Sequence, residues 1–209
     1  MLIIVEGISA SGKTTWCRTH ASGFTVSEAA PQTNVPDARL SPAAAGRFWV
    51  EQGEGRWRAA CAIERWHGVA VCDTDPIKLH YSWSLWQIGV AAEGIWAAQH
   101  LATRESIAQG RIGFADVYLV NLIDPQHARR QRDADKTRTR RNFELHVRLS
   151  EPLTTWYRAL ETVLPGTVIW ELPEDGLAGL PGPRCRSIGD MQIFDQMMDI
   201  LGSQRRVVR

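Results

Sequence analysis

The sequence predicts an α/β domain: a doubly wound parallel sheet of five strands in the order 2-3-1-4-5, with residues 1–209 forming a single unit. Two patterns support this. Short apolar runs recur along the chain, each closed by Gly, Pro or Asp, as expected of strands buried on both faces. Longer stretches of helical spacing separate them, which gives parallel strands joined by crossover helices. The length suits one well-buried core and is short for two.

The elements follow in order. Leu2–Val5 is an apolar run closed by Glu6-Gly7, and Lys13–Thr19 opens the first helix. Phe24–Val26 reads as the second strand, ending near Glu28, and the Pro- and Ala-rich residues 29–42 read as loop. A helical stretch from about Pro42 to Trp66 is expected to be interrupted near Gly53 and Gly55. Val69–Cys72 is the third strand, ending in Asp73-Thr74-Asp75, and helices fill roughly 82–109. Ala115–Leu122 is the fourth strand, stopped by Asp124-Pro125. After an arginine-rich segment come a helix over Pro152–Val163, a fifth strand over Thr167–Leu172, a loop over 173–183 and a last helix over about 189–201. The Arg205–Arg209 tail reads as a frayed end.

Composition narrows the function classes. The formal net charge is +1, so no global field points to nucleic acid or an anionic membrane. No segment is apolar for long enough to span a bilayer. Met1 opens the first strand directly, so no signal peptide is expected and a cytoplasmic location is. Cys17, Cys61, Cys72 and Cys185 are scattered without metal-like pairing, as free thiols in a reducing compartment would be. Of the 24 Lys and Arg residues only Lys13, Lys78 and Lys136 are lysines, which favours bidentate phosphate or carboxylate contacts.

Gly7-Ile8-Ser9-Ala10-Ser11-Gly12-Lys13-Thr14 fits G-x-x-x-x-G-K-[ST], the P-loop. It stands between an apolar strand and a helix, the setting that gives the motif its meaning. Gly7 and Gly12 free the backbone to turn its N–H groups into one concavity. Ser9, Ala10, Ser11 and Gly12 then cradle phosphate oxygens at the positive end of the helix. Lys13 reaches the β- and γ-phosphates, Thr14 binds Mg²⁺, and Thr15 is either a further phosphate contact or a plain first-turn residue. The fold expected is therefore a P-loop NTPase, with ATP or GTP and Mg²⁺ as its cofactors.

In such sheets ligands bind at the carboxyl ends of the strands, where the second and third strands carry acids. Asp73 is assigned to the metal shell, through water. Asp75 is assigned to hold or deprotonate an acceptor hydroxyl, with Glu28 as the rival base. The competing reading of Asp75 is turn chemistry before Pro76. The order of P-loop, distant Asp-Thr-Asp and an apolar strand ending in Asp-Pro resembles P-loop nucleoside and nucleotide kinases. It is nearest to the ribosylnicotinamide kinase domain of bifunctional NAD-salvage proteins. That family's Asp-Thr-Asp lies about sixty residues after the lysine, as Asp73 does after Lys13. The resemblance covers about residues 1–125 in outline. It departs from the family at Pro76, and the nicotinamide-recognising residues are not found.

Residues 127–148 hold Arg129, Arg130, Arg132, Arg138, Arg140, Arg141, Arg148 and Lys136 after the fourth strand, where small kinases carry a lid. Arg132, Arg138 and Arg141 are the expected lid contacts on the transferring phosphoryl group. A solvated, ion-paired helix and a nucleic-acid patch are the other readings, and the interleaved Asp133 and Asp135 weigh against the second. Trp83 and Trp86 share a helical face, as a stacking wall for a flat ring or as core. Lys78, His80 and Tyr81 lie beside them, and Pro173–Gly179 has the position of a base-contacting loop. Taken together the expectation is a kinase moving the γ-phosphoryl group of ATP or GTP to a nucleoside, nucleotide or nucleoside-like small molecule. The alternatives are a kinase modifying an antibiotic or other secondary metabolite, and a regulatory NTPase. No nucleic-acid or membrane partner is expected, and a homodimer is the candidate assembly.

Overall fold

The computed structural model describes residues 1–28, 32–134, 142–184, 186 and 190–203. Five strands form one parallel sheet: β1 (Leu2–Gly7), β2 (Thr25–Val26), β3 (Ala70–Asp73), β4 (Val117–Asn121) and β5 (Val168–Ile169). Their order is β2-β3-β1-β4-β5, as the sequence predicts. β1 is buried along its whole length between β3 and β4, which is why LIIVEG can be almost wholly apolar.

The helices are α1 (Lys13–Ala21), α2 (Pro42–His67), α3 (Leu79–Gln87), α4 (Glu93–Ala108), α5 (Pro125–Ala134), α6 (Phe143–Arg148), α7 (Ser150–Val163) and α8 (Met191–Ser203). Alternate β1 side chains serve opposite faces of the sheet. Ile3 and Val5 meet Trp16 and Cys17 of α1, while Leu2 and Ile4 join the core built with α2, α3, α4, α7 and α8. No helix among the described residues is long and apolar enough to cross a membrane.

Three expectations change. The last strand is limited to Val168–Ile169 rather than Thr167–Leu172, since β5 is an edge strand bonded only to β4. The helices around the third strand begin earlier, at Leu79. Most important, α2 runs unbroken through Gly53 and Gly55 over 26 residues. It has Pro42 in its first turn and stops at Gly68, whose left-handed backbone (φ 75°) donates its N–H to the Glu64 carbonyl. The glycines inside it serve packing. A Cβ on Gly46 would stand 3.0 Å from the Gln99 backbone of α4, and one on Gly53 would collide with the Pro76 carbonyl. Gly53 thus lets α2 lie directly against the loop that follows β3.

Gly53→Ala is expected to destabilise the protein by about 1–3 kcal/mol through that collision. Gly55→Ala, whose Cβ would meet only Arg58 at 3.9 Å, should instead stabilise by about 0.5–1 kcal/mol. Urea unfolding of the two variants against wild type checks both signs.

Candidate active site

The loop between β1 and α1 wraps a cradle above the sheet. Gly7 has no room for a side chain: a Cβ would stand 2.7 Å from both the Asn121 carbonyl and Ser11 Oγ. Gly12 adopts φ 86° and Ala10 φ 66°, left-handed positions that fold the loop back on itself. Asn121, at the end of β4, donates from Nδ2 to the Ser11 carbonyl at 2.6 Å and pins the loop to the sheet. α1 begins with neither a side-chain cap nor an acidic residue in its first turn, so its positive end is left for an anion. Lys13 Nζ donates to the carbonyls of Gly7 (2.7 Å) and Ile8 (3.1 Å).

A cavity of about 880 Å³ opens over this cradle. Gly7, Ser9, Ala10, Ser11, Gly12, Lys13, Thr14 and Thr15 all line it, as expected of a phosphate cradle. Glu28, Lys78, His80 and Tyr81 line it as well, with Trp49 of α2. The indoles expected as a wall are elsewhere. Trp83 is buried against Trp156, with ring centroids 5.8 Å apart, and Trp86 stacks on Trp96, so both belong to the core.

Asp73 reaches the cradle through Thr14, whose Oγ1 donates to Asp73 Oδ2 at 2.7 Å. Burial raises the Asp73 carboxyl above the usual range, against the Thr14 hydrogen bond and the Lys13 charge. Its other oxygen, Oδ1, is buried with no hydrogen-bond partner among the described residues. A hydroxyl beside a carboxylate with one unused buried oxygen is an all-oxygen donor set. It fits Mg²⁺, which keeps its waters and takes only one or two protein ligands. Among the described residues no group of three or more His, Cys, Asp or Glu could hold a metal, so no all-protein cage competes with this arrangement.

Asp75 is not brought to the cavity. Its Oδ1 accepts the Ile77 N–H at 2.8 Å, its Oδ2 accepts the Tyr157 hydroxyl at 3.2 Å, and it is buried. This is the turn chemistry that Asp before Pro76 favours. Burial, then the neighbouring Glu6 charge, push its carboxyl up to about 7. Glu28 does line the cavity, paired with Lys78 Nζ at 2.9 Å. Burial works to raise the Glu28 carboxyl, but Lys78, with Lys13 and Arg56 behind it, holds it below the usual range. Of the expected lid arginines, Arg132 is ion-paired with Asp133 (2.8 Å) and Glu144 (3.0 Å) and lies over the Phe143 ring. Arg138 and Arg141 lie outside the described residues. Gln131 and Ala134 of α5 and His146 of α6 line the cavity. The Pro173–Gly179 loop sits on α1: the Pro173 carbonyl accepts Trp16 Nε1 at 2.8 Å, and Gly176 packs on His20.

Several residues that sequence reasoning missed organise the site. Arg56 of α2 donates to the carbonyls of Ser27, Asp73 and Thr74, tying the ends of β2 and β3 together. Glu6 is buried, accepting the Gly7 N–H on Oε1 and the Asp75 N–H on Oε2, with His80 Nε2 3.4 Å away. A charged residue ending the run Leu2–Val5 was the available signal for Glu6. Thr74 has φ 78°, a conformation that costs a β-branched residue about 1–3 kcal/mol.

No family model matches the chain, and no curated protein matches its sequence. Two solved structures of deoxyadenosine kinase from M. mycoides do match its fold. One, with bound dATP, aligns at TM-score 0.52 over 97% of this chain and 98% of that one. The other, with bound dCTP, aligns at TM-score 0.55 over 97% and 100%. The chain has the fold of deoxyadenosine kinase. Identity to both is 10%, so the likeness is one of fold: a five-stranded parallel sheet in the order β2-β3-β1-β4-β5 with helices on both sides.

Asp73→Asn is expected to abolish most of the gain in ATP affinity on adding Mg²⁺ while leaving metal-free ATP binding within about threefold, since charge beside the ion is lost and shape is kept. Titration calorimetry with and without Mg²⁺ measures the difference.

Proposed function

We propose that this chain is a Mg²⁺-dependent kinase that moves the γ-phosphoryl group of ATP or GTP to a neutral, nucleoside-like alcohol. The observation that carries the reading is one cavity lined both by the Gly-rich loop with Lys13 and by the carboxylate of Glu28, which Lys78 holds below the usual glutamate range. The fold shared with deoxyadenosine kinase supports the same class. The cations lining the cavity among the described residues are Lys13 in the cradle, Arg18 on α1, and Lys78, which Glu28 already neutralises. A nucleotide acceptor would bring a second phosphate beside Glu28, where among the described residues Lys78 is already paired. A neutral alcohol suits that position better, with Trp49 and Tyr81 as flat neighbours.

In this reading Lys13 and the loop N–H groups hold the β- and γ-phosphates. Thr14 and Asp73 hold Mg²⁺, which supplies charge neutralisation on those phosphates. The acceptor hydroxyl gives its proton to Glu28 as its oxygen bonds to the γ-phosphorus. The bond from that phosphorus to the bridging oxygen breaks, and its electron pair leaves with the nucleoside diphosphate. Glu28, rather than Asp75, takes the base role because Asp75 spends both oxygens on Ile77 and Tyr157. The lid role falls to residues 127–148, and Arg132 would exchange Glu144 for phosphate on closing.

The deciding experiment is ADP release against a panel of nucleosides, ribosylnicotinamide, nucleoside monophosphates and sugar-like alcohols, with products weighed by mass spectrometry. A neutral acceptor should raise ADP release and gain one phosphoryl group. A regulatory NTPase would release ADP at one slow rate regardless of acceptor, and a secondary-metabolite kinase would leave the nucleosides unmodified. Lys13→Ala should lower turnover at least about a hundredfold with an unchanged melting temperature.

Glu28→Gln should lower turnover about 10²–10⁴-fold. Because Lys78 keeps the Glu28 carboxyl ionised, activity should fall on the acid side only below the ordinary glutamate range. Lys78→Met removes the nearest opposing charge and leaves burial against only Lys13 and Arg56, so the acid limb of the pH–rate profile should move to higher pH. A limb that stays in place would separate Glu28 from the chemistry.

A further inference from the structure

We infer that the Thr74 hydroxyl is a catalytic group that donates a hydrogen bond to the transferring phosphoryl group. The inference rests on the kinase reading above. Thr74 stands immediately after β3 and lines the cavity, yet it is only 4% exposed. Its Oγ1 is buried with no hydrogen-bond partner among the described residues. Buried hydroxyls are normally satisfied, so an unsatisfied one on a cavity wall is held for something that enters the cavity.

The backbone gives an independent reason. A β-branched residue at φ 78° is rare, and glycine would meet the same turn without strain. Such a conformation persists only where its surroundings over-determine it. Here they do: the Thr74 N–H donates to the Val5 carbonyl at 2.9 Å, and Arg56 donates to the Thr74 carbonyl at 2.8 Å. The same guanidinium holds the Ser27 carbonyl, one residue before Glu28. Thr74 is therefore fixed relative to the base on one side. On the other, its neighbour Asp73 is bonded to Thr14 of the cradle. Thr74 thus lines the same cavity as the Gly-rich loop and Glu28, and is tied to both.

In the kinase reading the phosphoryl group passes from the bridging oxygen to the acceptor oxygen, whose proton goes to Glu28. Charge on its equatorial oxygens must be stabilised in transit. The Thr74 backbone is held in place before substrate arrives, so its hydroxyl is a donor carried on a preorganised turn. A contact made chiefly in the transition state affects kcat and leaves KM alone.

The test uses the full chain, ATP, Mg²⁺ and whichever panel nucleoside the wild type phosphorylates fastest. Thr74→Val keeps the branched shape and removes the hydroxyl. It should lower kcat by about a hundredfold, with KM for ATP and for the nucleoside within about twofold of wild type. Thr74→Ser should restore most of the rate. Thr74→Gly should lose kcat by the same factor while its melting temperature rises by about 2–4 °C, which separates loss of the hydroxyl from loss of the fold. A Thr74→Val enzyme with wild-type kcat, or one changed only in nucleoside KM, overturns this inference and leaves the kinase reading standing. A wild-type chain that phosphorylates no panel compound overturns both.

Discussion

The candidate site depends on one guanidinium. Arg56 reaches from α2 to three backbone carbonyls at the ends of β2 and β3, and no other described side chain joins those two strand ends so directly. A short two-residue strand such as β2 has little hydrogen bonding of its own to fix its exit. The planar fork of an arginine supplies that, because several donors are set at fixed angles. Glu28 and Thr74 then face one cavity from separate strands. α2 lies close against the loop after β3, and that closeness is owed to Gly53. One small residue on a helix face thus bears on where the ends of β2 and β3 are held.

The polar interior behind the cradle is arranged on the same logic. Glu6 takes an N–H from the loop after β1 and an N–H from the loop after β3, so one buried carboxylate ties the two loops together. Asp75 extends that tie to α7 through Tyr157. Buried carboxylates are stable only when their oxygens are engaged, and these largely are. The exception is Asp73 Oδ1, and it lies beside Thr14, where a cation would sit.

Much of this was legible in the sequence, for identifiable reasons. The cradle is contiguous from Gly7 to Thr14, so its spacing alone carries its geometry. Alternating apolar runs and helices point to a parallel sheet, and the strand order expected of a P-loop kinase-type domain agrees with the sheet observed. The Thr14–Asp73 pair was within reach because both residues sit where a P-loop sheet gathers its ligands. What stayed hidden depends on contacts between distant residues. Asn121 meets Ser11 across 110 positions, and Tyr157 meets Asp75 across 82. No local pattern announces either. Gly53 was misread for the same reason: a glycine in a helix signals a break when only neighbours are considered, and close packing once Pro76 is in view. Asp75 was open to two readings, and only its partners decide between them.

The distribution of indoles has an optical consequence. Trp83 with Trp156, and Trp86 with Trp96, are packed in ring pairs away from the cavity, so their emission is set by the folded core. Trp49 stands on the cavity wall, and Trp16 holds the loop that lies on α1. The molecule thereby carries its own spectroscopic reference beside two chromophores at places a ligand would alter. Intrinsic fluorescence can therefore separate events in the cavity from unfolding without any attached dye, and replacing Trp49 by Phe would tell which part of the signal belongs to the cavity.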